Sequence, residues 1–329
     1  FYDEYHEIDL DQLEPHIVGP HTPDLGRSIS SMSTEVDEKG YPEELSAALI
    51  GSCTNSSYED MTRSVSLVRQ AKEAGIKVKT NFLVTPGSEQ IYETIKQDGI
   101  LAEFEDAGAT VLANACGPCI GQWKREDKKK GEANSILTSY NRNFAKRNDG
   151  NPETLGFISS PELVVAMAFS GSMKFNPLTD TLKDKDGNDF KFKPPTGDVL
   201  PSNGYSSKDN GYEAPTKSGE VVINPSSERL AFLEPFAKQE PIKDYQDLPL
   251  LVKAQGKCTT DHISQAGPWL KFRGHLDNIS NNMFLGATNA FTGGTGTGNN
   301  PVSGEKDVEI NKIARNLKDQ GLGWIAVGD

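Results

Sequence analysis

Between residues 45 and 171, short apolar runs alternate with amphipathic runs, and most amphipathic runs stop at a glycine. "AALIGSC" (47–53) leads into "SSYEDMTRSVSLVRQAKEAG" (56–75), where Met61, Val65 and Val68 fall at helical spacing and Gly75 supplies the stop. "KVKTNFLV" (77–84) predicts a strand, and two helical stretches closed by Gly99 and Gly108 follow it. "ATVLANAC" (109–116) and "SILTSYN" (135–141) read as further strands. "SPELVVAMAFSG" (160–171) predicts a helix capped by Ser160, with Pro161 at its first position and Gly171 at its end. This alternation admits few folds: the chain is α/β, with a mainly parallel sheet and helices packed on it.

The pattern lapses after residue 176. "TLKDKDGNDFKFK" (181–193) predicts a hairpin turning on Asp186 and Gly187. It is no EF-hand, because Leu182 and Lys193 stand where calcium needs carboxylates. Residues 194–228 are rich in Pro, Gly, Ser and Asn, as a long surface linker is. The expected division is an α/β domain over 1–200, a linker over 201–235 and the start of a second domain over 236–329. "TGGTGTGNN" (292–300) lacks the lysine and the spacing of a phosphate loop and reads as a flexible surface loop. Both ends read as cuts: "FYDEYHEIDLDQLEPHIVGP" has neither the basic start nor the apolar core of a targeting peptide, and "LGWIAVGD" reads as a buried strand at the chain's end. An internal piece of a longer protein is expected.

Lys and Arg number 34 against 47 Asp and Glu, a balance of -13, so nucleic acid is not expected as the main partner. No apolar run reaches the ~18 residues of a membrane span. An anionic substrate has to meet a local group of arginines or lysines on this acidic background. Four cysteines in 329 residues are too few for a disulfide scaffold and suit free thiols.

Three of those cysteines fall at predicted strand ends: Cys53 after one strand, Cys116 and Cys119 after another, with Asn141 and Arg142 closing a third. In open α/β sheets the ligand crevice lies outside the carboxyl ends of the strands, so these groups converge on one edge. Cys116-Gly-Pro-Cys119 alone resembles a redox dithiol, but Asn114 and Ala115 stand where such sites carry an aromatic. A zinc site completed by Cys258 and His262 leaves Cys53 unused. Small buried thiols are a third reading, best suited to Cys258. Three thiolates with no obvious fourth suit an iron-sulfur cluster with one iron left open.

"IGSCTNSSYEDM", "TPGSEQI", "LANACGPCIGQW", "TSYNRNF", "NPET", "GKCTTDHIS" and "AGPWLKFRGHLDNISNN" resemble the aconitase family, in particular its mitochondrial hydratases, with fungal relatives acting on homocitrate beside them. The resemblance runs from about residue 8 to 286 and resumes near Gly323. It implies the family's third, three-layer α/β domain, then a linker, then the start of its swivelling domain. It also implies that Cys53, Cys116 and Cys119 hold a 4Fe-4S cluster whose open iron acts as a Lewis acid in isomerising citrate to isocitrate through cis-aconitate. Arg142, Arg147 and Arg273 match its substrate-binding arginines, Asn141 an amide beside the cluster, and Asp261 an active-site acid. His262 reads as structural and Cys258 as a thiol that is not a ligand. A small tricarboxylate as partner, a monomer and the mitochondrial matrix are implied likewise. The family's catalytic serine and its histidine-carboxylate pairs match nothing here, and residues 287–322 depart from the usual pattern. The homocitrate reaction of lysine synthesis is the alternative substrate reading, since one methylene is worth only ~1 to 3 kcal/mol. RNA binding by a cluster-free form is disfavoured by the acidic balance.

Overall fold

A computed structural model describes residues 2–208, 212–216, 218–236, 238, 245–256 and 258–328. The chain divides into two compact units, Phe1–Ala214 and Pro215–Asp329.

The first unit is built on a seven-stranded sheet. Its strands are β1 (His16–Val18), β2 (Gly26–Ser28), β3 (Leu45–Gly51), β4 (Asn81–Thr85), β5 (Thr110–Val111), β6 (Asn134–Thr138) and β7 (Thr154–Ile158), in the spatial order β2-β1-β7-β6-β3-β4-β5. Every pairing from β7 across to β5 is parallel, and β1 runs antiparallel to both of its neighbours, β7 and β2. Five helices accompany the sheet: α1 (Ile29–Lys39), α2 (Tyr58–Glu73), α3 (Glu89–Gln97), α4 (Ile100–Asp106) and α5 (Pro161–Ser170).

Local chemistry sets where these helices begin and end. Ser57 and Asp60 form a reciprocal capping box on α2, satisfying two N–H groups that have no partner within the helix. Ser160 caps α5 with Pro161 in its first turn, and Gly171, in the left-handed region, closes it. Nearly all of α5 is buried, because it lies against both β3 and α2. Side chains alternate along the central strands. Ala48, Ile50, Phe82, Val84 and Leu137 join the large core shared by the five helices. Ala47, Leu49, Leu83 and Ile136 belong to a smaller cluster with Cys119 and Tyr140, edged by Leu112 and Trp123.

Phe82 is 1% exposed and meets Phe104 edge to face at 6.2 Å. Phe82→Ala is expected to cost about 3–5 kcal/mol in urea unfolding, the range for emptying a buried aromatic site.

The predicted hairpin forms, with Leu182–Lys183 antiparallel to Asp189–Phe190, and backbone N–H groups of Asp186 and Asn188 donate to Asp184 Oδ1. The start of the Pro- and Gly-rich segment is tied to the helices. Asp198 N donates to Thr62 Oγ1 at 2.9 Å, and buried Ser206 donates its N–H to Thr94 Oγ1 at 3.0 Å.

The second unit holds a parallel pair, Leu250–Lys253 with Ile325–Val327, and the helix Ile310–Asp319, whose Ile310, Ile313 and Leu317 pack with Leu251, Val252 and Phe284. Two expectations are corrected here. The strand in "LGWIAVGD" forms but is not buried, since Ile325 and Val327 remain 47% and 46% exposed. Among the described residues it pairs on one edge only, to Leu250–Lys253. The Gly-Thr run is ordered by backbone bonds, for Asn289 N donates to Gly294 O, Gly296 N to Ala287 O and Ile310 N to Gly296 O, and it contains the short strand Thr297–Gly298. Among the described residues no helix is long and apolar enough to cross a membrane.

Candidate functional site

In the first unit the predicted residues meet at the carboxyl ends of β3, β5 and β6. Parallel pairing forces this convergence, because strands that run the same way end on the same side.

Cys53 follows β3 through a tight turn. Gly51 sits at φ +101° and Ser52 at φ +72°, so the chain reverses at once and presents Cys53 to solvent. Thr85 O at the end of β4 accepts from Ser52 N at 3.0 Å. Gly51 N donates to Ser139 Oγ at 2.9 Å, and Asn55 Nδ2 donates to Ser139 O. Ser56 Oγ donates to Ser52 O. The turn is thus fastened to both neighbouring strands.

Cys116 precedes, and Cys119 lies within, a single 3₁₀ turn, Gly117–Ile120, which comes well after β5 has ended at Val111. The strand expected to run to Cys116 stops early: Leu112 N makes the last ladder bond, to Val84 O, and the chain then leaves the sheet. Cys116 is exposed, whereas Cys119 is 6% exposed against the sheet.

Asn141 stands between the two cysteine segments. Its Oδ1 lies 4.0 Å from Cys119 Sγ and its Nδ2 3.5 Å from Thr54 Oγ1, which is 3.7 Å from Cys53 Sγ. Arg147 Nε donates to Cys119 O at 2.7 Å, and the Arg142 guanidinium lies 6.0 Å from the Phe144 ring centre. The structure therefore gathers Cys53, Cys116, Cys119, Asn141 and Arg147 about one sheet edge, with Arg142 next to Asn141 in sequence.

Burial pushes the Cys119 thiol up from its ordinary range. Ser52 and the Arg147 cation pull it back, and the nearness of Cys116 and Cys53 pushes it higher. Ser52 Oγ lies buried near this thiol with no hydrogen bond of good geometry. Burial also raises the Tyr140 phenol well above its usual range, with Cys119 adding to the rise, so Tyr140 stays neutral beside the site. Among the described residues no three His, Cys, Asp or Glu side chains close around a single ion. The donor set at the edge is all sulfur, a soft set that suits zinc, copper(I) or an iron-sulfur cluster rather than a hard cation.

The remaining predicted residues belong to the second unit. Asp261 lies half-buried in the one-turn helix Thr260–Ile263. Its neighbour His262 is committed to that turn, its Nδ1 accepting from Thr259 N at 2.8 Å. Cys258 packs half-buried on the small core, near Ala254 and Gly328. Arg273 is exposed at the end of the 3₁₀ turn Gly267–Phe272 and lines a cavity of about 440 Å³ with Ser227, Arg229 and Lys271.

Sequence reasoning missed Ser52, which lies against the Cys119 thiol, and Asn55, Ser139 and Asn148, whose side chains bond the backbone of the site's turns. One signal was available for the last: Asn141, Asn143, Asn148 and Asn151 crowd into eleven residues, and three of them are buried. Buried amides cluster where irregular backbone needs partners.

Two family sequence models match the chain, the aconitase family (aconitate hydratase) over residues 1–171 and the aconitase C-terminal domain over residues 248–329. Among similar proteins, the mitochondrial aconitate hydratases of Gracilaria gracilis, Schizosaccharomyces pombe and Saccharomyces cerevisiae are 55%, 56% and 55% identical over the whole of this chain. The chain spans 42% of the length of each. Thiols, amide and arginine at one parallel-sheet edge, joined to matches over both units, establish that this chain belongs to the aconitase family.

Proposed function

We propose that this chain forms part of an aconitate hydratase, a hydro-lyase that isomerises citrate to isocitrate through cis-aconitate in the mitochondrial tricarboxylic acid cycle. The observation that carries this reading is the meeting of Cys53, Cys116 and Cys119 beside Arg147. The donor set fits a 4Fe-4S cluster. Three cysteine sulfurs at one sheet edge offer three soft ligands and leave one corner of such a cluster to other groups. When bound, such a cluster supplies a Lewis-acid iron for a hydroxyl and a carboxylate oxygen.

The chain's own residues do the rest of the recognition. Arg142 and Arg147 are proposed to take substrate carboxylates, a task that favours the planar, permanently charged guanidinium over an ammonium. Their cations stand out on a chain of net charge -13, which otherwise repels a tricarboxylate. Asn141, between the two thiol segments, is proposed to keep them in register. Within the second unit, Asp261 and Arg273 keep the roles that the resemblance implies, active-site acid and carboxylate binding.

The deciding measurement is hydration of cis-aconitate against homoaconitate by the intact, cluster-loaded protein. Preference for cis-aconitate is expected, and turnover of homoaconitate alone would replace the proposed substrate. Arg147→Lys keeps the charge and loses the fork, so kcat/KM for citrate is expected to fall about 10- to 100-fold, the worth of one charge-assisted hydrogen bond. Iron content should fall much less. Unchanged kinetics would remove Arg147 from substrate binding.

A further inference from the structure

The Cys-Gly-Pro-Cys segment is poorly equipped to hold its own shape. It is one 3₁₀ turn, closed by bonds such as Cys119 N to Cys116 O at 2.7 Å and Gln122 N to Gly117 O at 3.0 Å, and a lone turn of this kind gains nothing from helical cooperativity. Its shape is set from outside. Two consecutive carbonyls of the turn accept from two consecutive side chains of the facing loop: Asn148 Nδ2 donates to Pro118 O at 3.1 Å, and Arg147 Nε to Cys119 O. Asn148 is 5% exposed and uncharged. Pro118 O also accepts a long bond from Gly121 N, at 3.4 Å.

The loop that carries these donors is itself anchored. Asn143 Nδ2 donates to Thr22 O at 3.1 Å and Gly156 O at 3.3 Å, and Asn151 Nδ2 donates to Glu132 O at 2.9 Å. Asp149 accepts from Thr154 Oγ1 at 2.7 Å and pairs with the buried Arg125 guanidinium at 3.7 Å. Asn148 is therefore a fixed peg rather than a side chain that follows the turn.

We propose that Asn148 is a positioning residue for the Cys116–Cys119 turn, holding both thiols at the site through the Pro118 carbonyl. This rests on the reading of Cys116 and Cys119 as cluster ligands, and adds to that reading the group that fixes them in space. Removing the amide leaves a buried carbonyl short of a donor, and the turn gains freedom at the very residues that carry sulfur.

The test compares Asn148→Leu and Asn148→Ala with Asn143→Leu, which removes a buried amide of the same loop whose bonds go elsewhere. In cluster-free intact protein, iodoacetamide labelling of Cys119 is measured by mass spectrometry against Cys53 in the same sample. Both Asn148 variants are expected to raise the Cys119-to-Cys53 labelling ratio about fivefold, the factor one ordinary hydrogen bond corresponds to. Loaded protein should lose its visible absorption in air faster by a similar factor. Asn143→Leu loosens the anchor of the loop but keeps the bond from Asn148 to Pro118 O, so it is expected to raise the ratio by less than half as much. An unchanged ratio in the Asn148 variants, an equal rise in Asn143→Leu, or loss of folding in both Asn148 variants would overturn the proposal. A wild-type protein that takes up no cluster would refute the proposed function, while the labelling ratio would still decide the role of Asn148.

Discussion

Replacing Cys53, Cys116 or Cys119 by serine is expected to abolish the visible absorption of the loaded protein, and Cys258→Ser to leave it in place. The difference follows from position. The first three thiols stand at one sheet edge, close enough that Cys53 and Cys116 raise the pKa of Cys119, whereas Cys258 packs on the small core of the other unit. Serine keeps the size of cysteine but offers a hard oxygen that stays protonated near neutral pH, so it is a poor substitute for a soft thiolate. With three ligands in all, losing one removes a third of the attachment, and the expected loss is complete rather than graded. Absorption and iron per chain, measured on anaerobically loaded protein, check it. Loss of iron in the Cys258 variant alone would overturn the ligand assignment.

The second large effect concerns backbone. Gly51→Ala is expected to destabilise the protein by about 4 kcal/mol or more, combining the cost of a left-handed conformation with overpacking. Gly51 has φ +101°, and a Cβ there would lie 1.8 Å from Thr85 O and 2.7 Å from Thr85 C. Neither atom can step aside, because Gly51 and Thr85 are register partners in the β3–β4 ladder and Thr85 O also accepts from Ser52 N. Gly40→Ala supplies the scale. Gly40 closes α1 at φ +66° with nothing within 4 Å of its would-be Cβ, so only the conformational cost of about 1 to 2 kcal/mol applies. Equal costs for the two variants in urea unfolding would show that the close approach at Thr85 carries no weight.

Much of the first unit was legible because parallel strands are buried on both faces and therefore read as largely apolar runs, as β3 and β4 do. Helix limits were legible where a single residue decides them, as Ser160 and Gly171 do for α5. The early end of β5 was not, since Leu112 and Ala113 look as strand-like as Thr110 and Val111, and only the ladder partner on β4 decides where pairing stops. The exposed strand Ile325–Val327 shows the same limit: apolar side chains say what gains from burial and not what is there to cover them. At the site the thiols and arginines could be named from their types and motifs. The groups that shape it, Ser139 bonding Gly51 and Asn148 bonding Pro118, act on backbone atoms, and a carbonyl's partner leaves no mark in composition or spacing.

The sheet order bears on when the site comes into being as the chain folds. β3 pairs with β4 about 35 residues away and with β6 about 90 residues away, and β7 reaches back to β1 across 140 residues, Val18 to Ile158. Contacts between such distant segments form late, after loop-closure entropy has been overcome. Cys53 and Cys119 come together only once β3, β4 and β5 lie side by side. Loading of the proposed cluster would thereby follow folding, the reverse of a zinc finger, where metal is what draws the chain together. The chain first has to become a vessel, held by its helices and its large core, and only then does it have anything to fill.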